Sequence, residues 1–362
     1  MAPPTANPFR FERGGYPDLA TSAGAPDLWR EWDVLADWLE VEPFLRPGWF
    51  RAWHQAYGSG EFRVLTVSRN GTLAGVLPVE LRGRASLSPT NTHTPLYAPV
   101  ATDPDVERSL AAQLVAESRG RVELAYVDPT SSWYRALAAE LDAAGMTAQV
   151  EPLLRSPYVT LGQREGDYPA GVSRRFMKDL RRCRRRLEER GAVELTVHEH
   201  AAGLDLALAE FVALEASGWK ADLGTAVASR EASLRFYADL AGWAAQRGWL
   251  RLAFLRLDGD PIAAELDLEY AGRLYALKCG FDTEFRSFGP GQLLTHLCIE
   301  YAAEAGLASY EFLGTDEPYK MHWTSTTRER ARVQAFPSGL GGRLQSVSRR
   351  HLRPLGRRLR RR

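Results

Sequence analysis

Residues 250–314 read LRLAFLRLDGDPIAAELDLEYAGRLYALKCGFDTEFRSFGPGQLLTHLCIEYAAEAGLASYEFLG, and this stretch decides the fold. Its apolar pattern predicts three strands, which are 250–257, 262–270 and 274–281. Turns are predicted at Asp258-Gly259-Asp260-Pro261 and at Gly272. A helix over about 291–305 ends at Gly306 and leads to a strand at 308–313. Antiparallel strands, followed by a helix that crosses over to a further strand, predict a mixed sheet of the α/β class.

A basic amphipathic helix precedes this stretch. Ser173 is its predicted N-cap and Gly191 follows its end. Its apolar face consists of Phe176, Leu180, Cys183 and Leu187. A strand at 193–198 and two helices, at about 203–216 and 230–247, are predicted to connect it to residue 250.

The first half of the chain predicts a similar order of elements. Helices are predicted at about 28–39, 49–57, 104–118 and 131–144, and strands at 62–67, 72–79 and 121–127. The Asn70-Gly71 pair predicts a tight hairpin between the first two strands. The domains expected from this order are a lead-in at 1–27, a domain at 28–165, a domain at 166–340 and an Arg-rich tail at 341–362.

The composition is that of a globular chain. It has 362 residues, 45% of them hydrophobic and 25% charged, with a net charge of +1. Three cysteines form neither a disulfide framework nor a metal-binding pattern, so we expect reduced thiols and no obligatory metal. Without a transmembrane or signal-peptide pattern, the expected location is the cytoplasm.

Positive charge is concentrated in two segments. Residues 174–190 hold nine Arg or Lys and three acids, and residues 343–362 hold nine Arg and no acid. The first segment fits a solvated helix face or a surface for phosphates. The second fits either a disordered tail or peripheral attachment to an anionic membrane surface.

Gly289-Pro290-Gly291 joins a predicted strand to a predicted helix. The first turn of a helix has unpaired N–H groups and the positive end of the helix dipole, so it binds anions. Glycines let a phosphate approach the backbone. The same tripeptide is also common in ordinary loops, and by itself it is a weak indicator.

Further motifs extend this observation. They are Asp282–Leu294 around the tripeptide, Tyr310-Glu311-Phe312-Leu313-Gly314, Tyr319-Lys320-Met321-His322-Trp323, Trp219-Lys220 and the basic run 180–187. With Pro43–Trp53 and Gly75-Val76-Leu77-Pro78, they resemble acetyltransferases of the CelD/BcsL type over about residues 28–336. That type belongs to the FemAB-like, double-domain branch of the GNAT superfamily. The resemblance implies two GNAT-like domains, each a mixed and largely antiparallel sheet flanked by helices.

The resemblance also implies a donor site. The pantetheine of an acyl-CoA would lie along 274–281, and its pyrophosphate would contact Ser287, Gly289, Pro290, Gly291 and Gln292. The usual GNAT phosphate signature is absent here. The expected donor is therefore acetyl-CoA, a longer acyl-CoA or, as in Fem transferases, an aminoacyl-tRNA.

Few residues are candidates for chemistry. By the same resemblance, Tyr319 would protonate the leaving group, and Lys320 would stabilise the oxyanion or contact a donor phosphate. The alternative is that Tyr319 packs in the core and Lys320 is its solvated neighbour. Lys278 and Asp282 are further catalytic candidates. The acceptor candidates are Trp219, Lys220, Glu265 and Trp323. Glu265, Asp267 and Glu269 share one face of their strand, and the simplest expectation for them is a solvent-exposed polar edge.

The predicted activity is transfer of an acyl group, by direct attack, to an amine or hydroxyl. The expected acceptor is a small molecule, a saccharide or a precursor for polysaccharide or cell-envelope biosynthesis. Two alternatives stay open. One is a protein that binds nucleic acid or a membrane surface without catalysis, and the other is an inactive GNAT scaffold.

Overall fold

The computed structural model describes residues 27–162, 172–217 and 231–337. Within them the chain forms two compact units, which we call the N-terminal and C-terminal units. The described part of the N-terminal unit consists of 27–54, 58–154 and 329–337, and the C-terminal unit contains 55–57 and the described residues between 155 and 328. The division falls at 154 and 328, whereas the sequence predicts boundaries at 165 and 340. The predicted domains stay a prediction.

Sheet A belongs to the N-terminal unit, apart from residues 327 and 328 at the start of its last strand. Its strands are β1 (Glu61–Arg69), β2 (Thr72–Arg82), β3 (Ala85–Leu87), β4 (Val100–Ala101), β5 (Val122–Val127) and a last strand, Thr327–Phe336. The helices of this half are α1 (Asp27–Trp38), α2 (Pro47–Tyr57), α3 (Pro104–Glu117) and α4 (Ser132–Ala143), with a short 3-10 helix at Pro43–Leu45. The order across the sheet is β1-β2-β3-β5 followed by the last strand, and β4 pairs with β2. Buried aromatic residues such as Trp32 and Phe50 pack beneath it.

Sheet B belongs to the C-terminal unit, apart from residues 147–154 at the start of its first strand. Its strands are β6 (Thr147–Thr160), β7 (Val193–His198), β8 (Leu250–Leu257), β9 (Asp260–Tyr270), β10 (Arg273–Phe281) and β11 (Ser309–Glu311). The helices are α5 (Arg174–Glu188), α6 (Leu204–Ser217), α7 (Glu231–Gln246) and α8 (Pro290–Glu304), with a 3-10 helix at Thr283–Phe288. The order is β6-β11-β10-β9-β8-β7. The strand at Thr327–Phe336 is β12.

The predicted fold class is confirmed, because both sheets are mixed and flanked by helices. Tight turns set the hairpin registers. Asn70-Gly71 and Asp258-Gly259 both have positive φ, at 52° and 77° and at 51° and 91°, as a two-residue hairpin turn requires. The sequence missed β6 and β12. Among the described residues, no helix is both long and apolar enough to cross a membrane.

Candidate active site

The parallel pair β10 and β11 separates soon after it forms. Only Arg273, Leu274 and Tyr275 of β10 pair with β11, opposite Ser309 to Glu311. On its other side β10 stays paired with β9 as far as Phe281, with a register shift between Ala276 and Lys278. Beyond Tyr275, the edge of β10 that faced β11 is therefore not paired with that strand. An extended ligand can add to such an edge through backbone hydrogen bonds.

The N-terminus of α8 follows β10 and is open. Asp282 caps the preceding 3-10 helix by accepting a hydrogen bond from the Glu284 N–H at 2.9 Å. Gly289 then takes the left-handed conformation, with φ 62° and ψ 44°, and Pro290 begins α8. Helix α8 has no side-chain cap and no acid in its first turn. Its first N–H groups, those of Gly291 and Gln292, are therefore available to an anion.

Gly291 also has a packing role. A Cβ atom at this position would lie 3.2 Å from the ring of Phe281, at the end of β10, so any other residue would require this ring to shift by a few tenths of an ångström. At Gly289 an added Cβ would meet nothing within 4 Å, and the requirement for glycine there comes from its positive φ.

Two arginines of the α5 region lie beside this turn. Arg186 and Arg190 each place the guanidinium carbon 4.7 Å from the centre of the Phe288 ring, and Phe288 is buried. Arg186 also donates a hydrogen bond of 3.4 Å to the Ser287 carbonyl. The predicted N-cap Ser173 and the buried Met177, Leu180 and Leu187 fix the helix against the core. Cation–π contact thus holds two positive charges next to the open helix N-terminus.

The sequence predicted that the basic helix could attract phosphates, but it did not single out Arg186 and Arg190. Their spacing of four residues places them on one face of a helix. Their contact with Phe288, immediately before Gly289, is a tertiary contact that helix periodicity does not predict. The aromatic residue before Gly-Pro-Gly was the sequence feature that could have pointed to a partner for these arginines.

Tyr319 is half-buried and stays protonated. Burial raises the pKa of its phenol far above the usual value, and the nearby carboxylates of Glu317 and Glu265 act in the same direction. A phenol in this environment can donate its proton to a leaving group, while the tyrosinate form is strongly disfavoured.

Lys320 is only 6% exposed and is held by its own loop. Its ammonium donates to the Leu313 carbonyl at 2.9 Å and the Thr315 carbonyl at 3.2 Å, and it pairs with the Glu317 carboxylate at 2.9 Å. Three partners match the three N–H donors of a lysine. The interpretation of Lys320 as a solvated neighbour is therefore wrong, and its role at an oxyanion stays a prediction.

The expectation of a solvent-exposed edge is wrong for Glu265 and Asp267. They are 2% and 1% exposed, because α8 covers this face of β9. Glu265 accepts hydrogen bonds from the Tyr310 hydroxyl at 2.5 Å and from the Thr295 hydroxyl at 3.4 Å. Burial raises the pKa of both carboxyls, and the charge of Glu265 raises that of Asp267 further. Glu269 is only half-buried, and Arg251 and Tyr301 each contact it at 2.9 Å.

Trp323 and Gln292 are joined in the core. The Trp323 indole N–H donates to the Gln292 side-chain oxygen at 2.8 Å, and its ring meets Phe176 edge-on at 4.8 Å. Trp323 is 2% exposed, so the structure places it in the core and not on an open acceptor surface. The ammonium of Lys278 lies 5.8 Å from the ring centre of Tyr237. Trp219 and Lys220 lie outside the described residues.

Known proteins show similarity to both sequence and fold. Residues 174–321 match the family of acetyltransferase (GNAT) domains. No curated protein sequence matches the chain. The crystal structure of FemX has a TM-score of 0.61 at 12% identity, covering 89% of this chain and 98% of its own.

Two further structures are similar. The C-terminal domain of a protein named as a lysylphosphatidylglycerol synthetase, from Agrobacterium fabrum, has a TM-score of 0.54 at 14% identity, covering 89% of this chain and 95% of its own. A conserved protein of unknown function from Bacteroides thetaiotaomicron has a TM-score of 0.56 at 12% identity, covering 85% and 97%. At these identities the likenesses show the fold alone.

Proposed function

We propose that the C-terminal unit transfers an acyl group from acyl-CoA to an amine or hydroxyl of a small-molecule acceptor, and the match of residues 174–321 to GNAT acetyltransferase domains supports this. Saccharides and envelope precursors are the acceptor classes to test first. One observation carries the proposal: β10 separates from β11 and ends beside an uncapped helix N-terminus flanked by Arg186 and Arg190.

The chain offers a partner for each part of such a donor. The free edge of β10 suits the amides of a pantetheine arm, which can pair as a strand does. The open N–H groups of Gly291 and Gln292 suit a pyrophosphate. Arg186 and Arg190 add charge-assisted hydrogen bonds to phosphate oxygens. The Gln292 side chain is bonded to Trp323, so we assign its backbone, and not its amide group, to the phosphate.

Tyr319 is the proposed general acid. An acyl-CoA supplies a thioester whose carbonyl carbon accepts a nucleophile. As the acceptor's nitrogen or oxygen bonds to that carbon and the carbon–sulfur bond breaks, the Tyr319 phenol gives its proton to the sulfur. The acceptor's proton goes to solvent, which returns one to the phenol. Burial keeps the pKa of Tyr319 high, so the phenol is in its protonated form at the start of each cycle.

Titration calorimetry with acetyl-CoA tests the donor site. Replacing Arg186 and Arg190 together by alanine should weaken binding about tenfold or more, since a hydrogen bond to a charged group contributes about 1.5–3 kcal/mol. The matched control replaces Arg174 and Arg175, at the other end of the same helix. This control should change the Kd less than about twofold, because it lies roughly 18 Å from Arg186 along the helix.

No measurable binding of acetyl-CoA or longer acyl-CoAs to the unaltered protein would refute the proposal. Equal losses in the two double variants would remove Arg186 and Arg190 from the site. Turnover with a panel of amines and sugars, at several acyl chain lengths, then identifies the acceptor and the preferred donor.

An aminoacyl-tRNA donor is the second candidate, and the charge pattern of α5 favours it. Among the described residues, only two of the nine basic side chains of 174–190 have an acidic partner, Arg182 with Asp179 and Arg184 with Glu188. The other seven are exposed along the whole helix. Fifteen residues of helix span about 22 Å, longer than the phosphates of one CoA require.

The same two double variants separate the donors. With tRNA, both should weaken binding, and the affinity of the unaltered protein should fall steeply with salt. With CoA, only the Arg186 and Arg190 variant should weaken it. Attachment of residues 343–362 to an anionic membrane stays a prediction, because this tail lies outside the described residues.

A further inference from the structure

Glu265 and Asp267 form a buried pair of carboxyls beneath α8. One carboxyl oxygen of each residue and the sulfur of Cys298 lie within 4.8 Å of one another. Residues from three other elements and from the loop after β11 face the pair: Cys279 on β10, Cys298 and Thr295 on α8, Tyr310 on β11, and Tyr319 in that loop. None of these residues is basic.

The nearest basic side chain in the strand register is turned elsewhere. Arg251 on β8 is paired with Asp267 in the sheet. Its guanidinium contacts Glu269 at 2.9 Å and Glu199 at 3.2 Å. The like charges of Glu265 and Asp267 are therefore not neutralised by an arginine or lysine of the described residues, and two such carboxyls cannot both ionise without great cost.

The two carboxyls differ in their donors. Glu265 receives the hydroxyls of Tyr310 and Thr295. Both oxygens of Asp267 are buried, and no hydrogen-bond donor of the described residues reaches them. Hydroxyl donors stabilise the ionised form of Glu265, whereas Asp267 is stable there as a neutral acid.

We propose that Asp267 is a permanently protonated acid that donates its hydrogen to Glu265, and that hydrogen bonds to this singly charged pair fix α8 and β11 to β9. The pair thereby positions the donor site at the start of α8. This inference rests on the proposed function for its role in donor binding. Asp267 and Glu265 are positioning residues here, since Thr295 and Tyr310 are the groups through which they act.

The position of Glu265 explains how the pair acts on the donor site. Glu265 lies on β9, Thr295 on the second turn of α8 and Tyr310 in the three-residue stretch where β11 still pairs with β10. One carboxylate thus links the helix that carries the donor turn to the strands at the point where they separate. The raised pKa of Asp267 agrees with a neutral acid at this position.

The shared proton is tested by stability against pH. A carboxyl with a raised pKa in the folded protein stabilises it fully below the pKa of the unfolded chain, and this stability is lost as pH rises towards the folded pKa. Asp267→Asn keeps the shape and a permanent N–H donor. The unfolding temperature of Asp267→Asn, relative to that of the unaltered protein at the same pH, should therefore increase as pH rises from about 5 to about 9.

Glu269→Gln is the matched control, from the same face of the same strand. Because Glu269 is half-buried and already paired with Arg251, this variant should show no such gain with pH. The measurement needs no donor, so it tests the shared proton even if acetyl-CoA does not bind and the proposed function fails.

Thr295→Val tests whether the hydrogen bond from α8 to Glu265 positions the donor site. It removes one hydroxyl donor to Glu265 at nearly constant volume, and it should raise the Kd for acetyl-CoA several-fold, as expected for one buried hydrogen bond. Its unfolding temperature should keep the pH dependence of the unaltered protein. An unchanged Kd would overturn the positioning role.

Two results would overturn the shared proton. One is a stability change in Asp267→Asn that is the same at every pH. The other is a divalent metal ion, measured by mass spectrometry of the purified protein, that is present at one per chain and lost in Asp267→Asn. In that case a cation, and not a proton, would neutralise the pair. A pH-dependent gain without metal supports the proposal.

Discussion

Both halves of the chain contain a strand, a helix and a second strand that pairs in parallel with the first, but the N-termini of the two helices are capped differently. In sheet A, α3 lies between β3 and β5, which pair in parallel. In sheet B, α8 lies between β10 and β11, which also pair in parallel. Asp103 caps α3 by accepting from the N–H groups of Asp105 and Val106, and the first turn carries Asp105 and Glu107. The corresponding positions of α8 hold no cap and no acid.

The difference teaches that capping, and not topology, decides where an anion can bind. The N–H groups of α3 are satisfied by a carboxylate, and acids in the first turn repel phosphate. Helix α8 leaves its N–H groups to a ligand. The proposed donor site lies in the second half because a few residues at the N-terminus of α8 leave it uncapped.

The strongest test concerns the chemistry that only the second half should perform. Tyr319→Phe removes the proposed acid and should lower kcat about 1,000-fold, within the range of general acid catalysis. Tyr126→Phe is the control in the first half, where Tyr126 is a buried tyrosine near the end of β5 whose pKa burial also raises. Turnover of acetyl-CoA with the identified acceptor is the measurement. Equal rates in the two variants would exclude Tyr319 as the acid.

Giving the N-terminus of α8 an acidic cap like that of α3 should strongly weaken donor binding. Gly289→Asp places a carboxylate at the N-cap, where an added side chain meets open space. Like-charge contact costs several kcal/mol, so the Kd for acetyl-CoA should rise about 100-fold. Gly289→Asn is the neutral control of the same shape, and asparagine tolerates positive φ about as well as aspartate does. If both variants bind alike, the charge at this turn does not matter.

Much of this contrast could be predicted from the sequence. Asn-Gly and Asp-Gly turns predicted the hairpins, and Gly-Pro-Gly predicted the turn that begins α8, because these short motifs act locally. Strand β6 is largely exposed along its first half and contains Pro152 and Pro157, so no apolar alternation shows. Strand β12 begins Thr-Arg-Glu-Arg, which looks like a loop.

The remaining site depends on tertiary contacts. Periodicity placed Glu265 and Asp267 on one face of a strand, but it could not say that α8 covers that face. The same limit applies to Lys320, whose three partners come from a loop with no regular pattern. Arg186 and Arg190 were visible as charges, and only the fold brings them to Phe288.

Lys320 provides the next test, because it stabilises the loop after β11. Lys320→Ala leaves the Leu313 and Thr315 carbonyls and the Glu317 carboxylate without this partner, so the free energy of unfolding should fall by about 2 kcal/mol. The loop contains Leu313 and Gly314 at positive φ, of 54° and 60°, which makes it dependent on such a tie. Denaturant unfolding measures the change. An unchanged stability with lost turnover would instead favour the catalytic role for Lys320.

The smallest effect is expected at α3. Asp103→Ala removes its cap and should lower the unfolding temperature by roughly 2–4 °C. It should not create affinity for acetyl-CoA, because Asp105 and Glu107 remain in the first turn and repel phosphate. Adding Asp105→Asn and Glu107→Gln removes that repulsion. If the triple variant still gives no second site in calorimetry, an open helix end is insufficient, and the separated strands and flanking arginines of the second half are required as well.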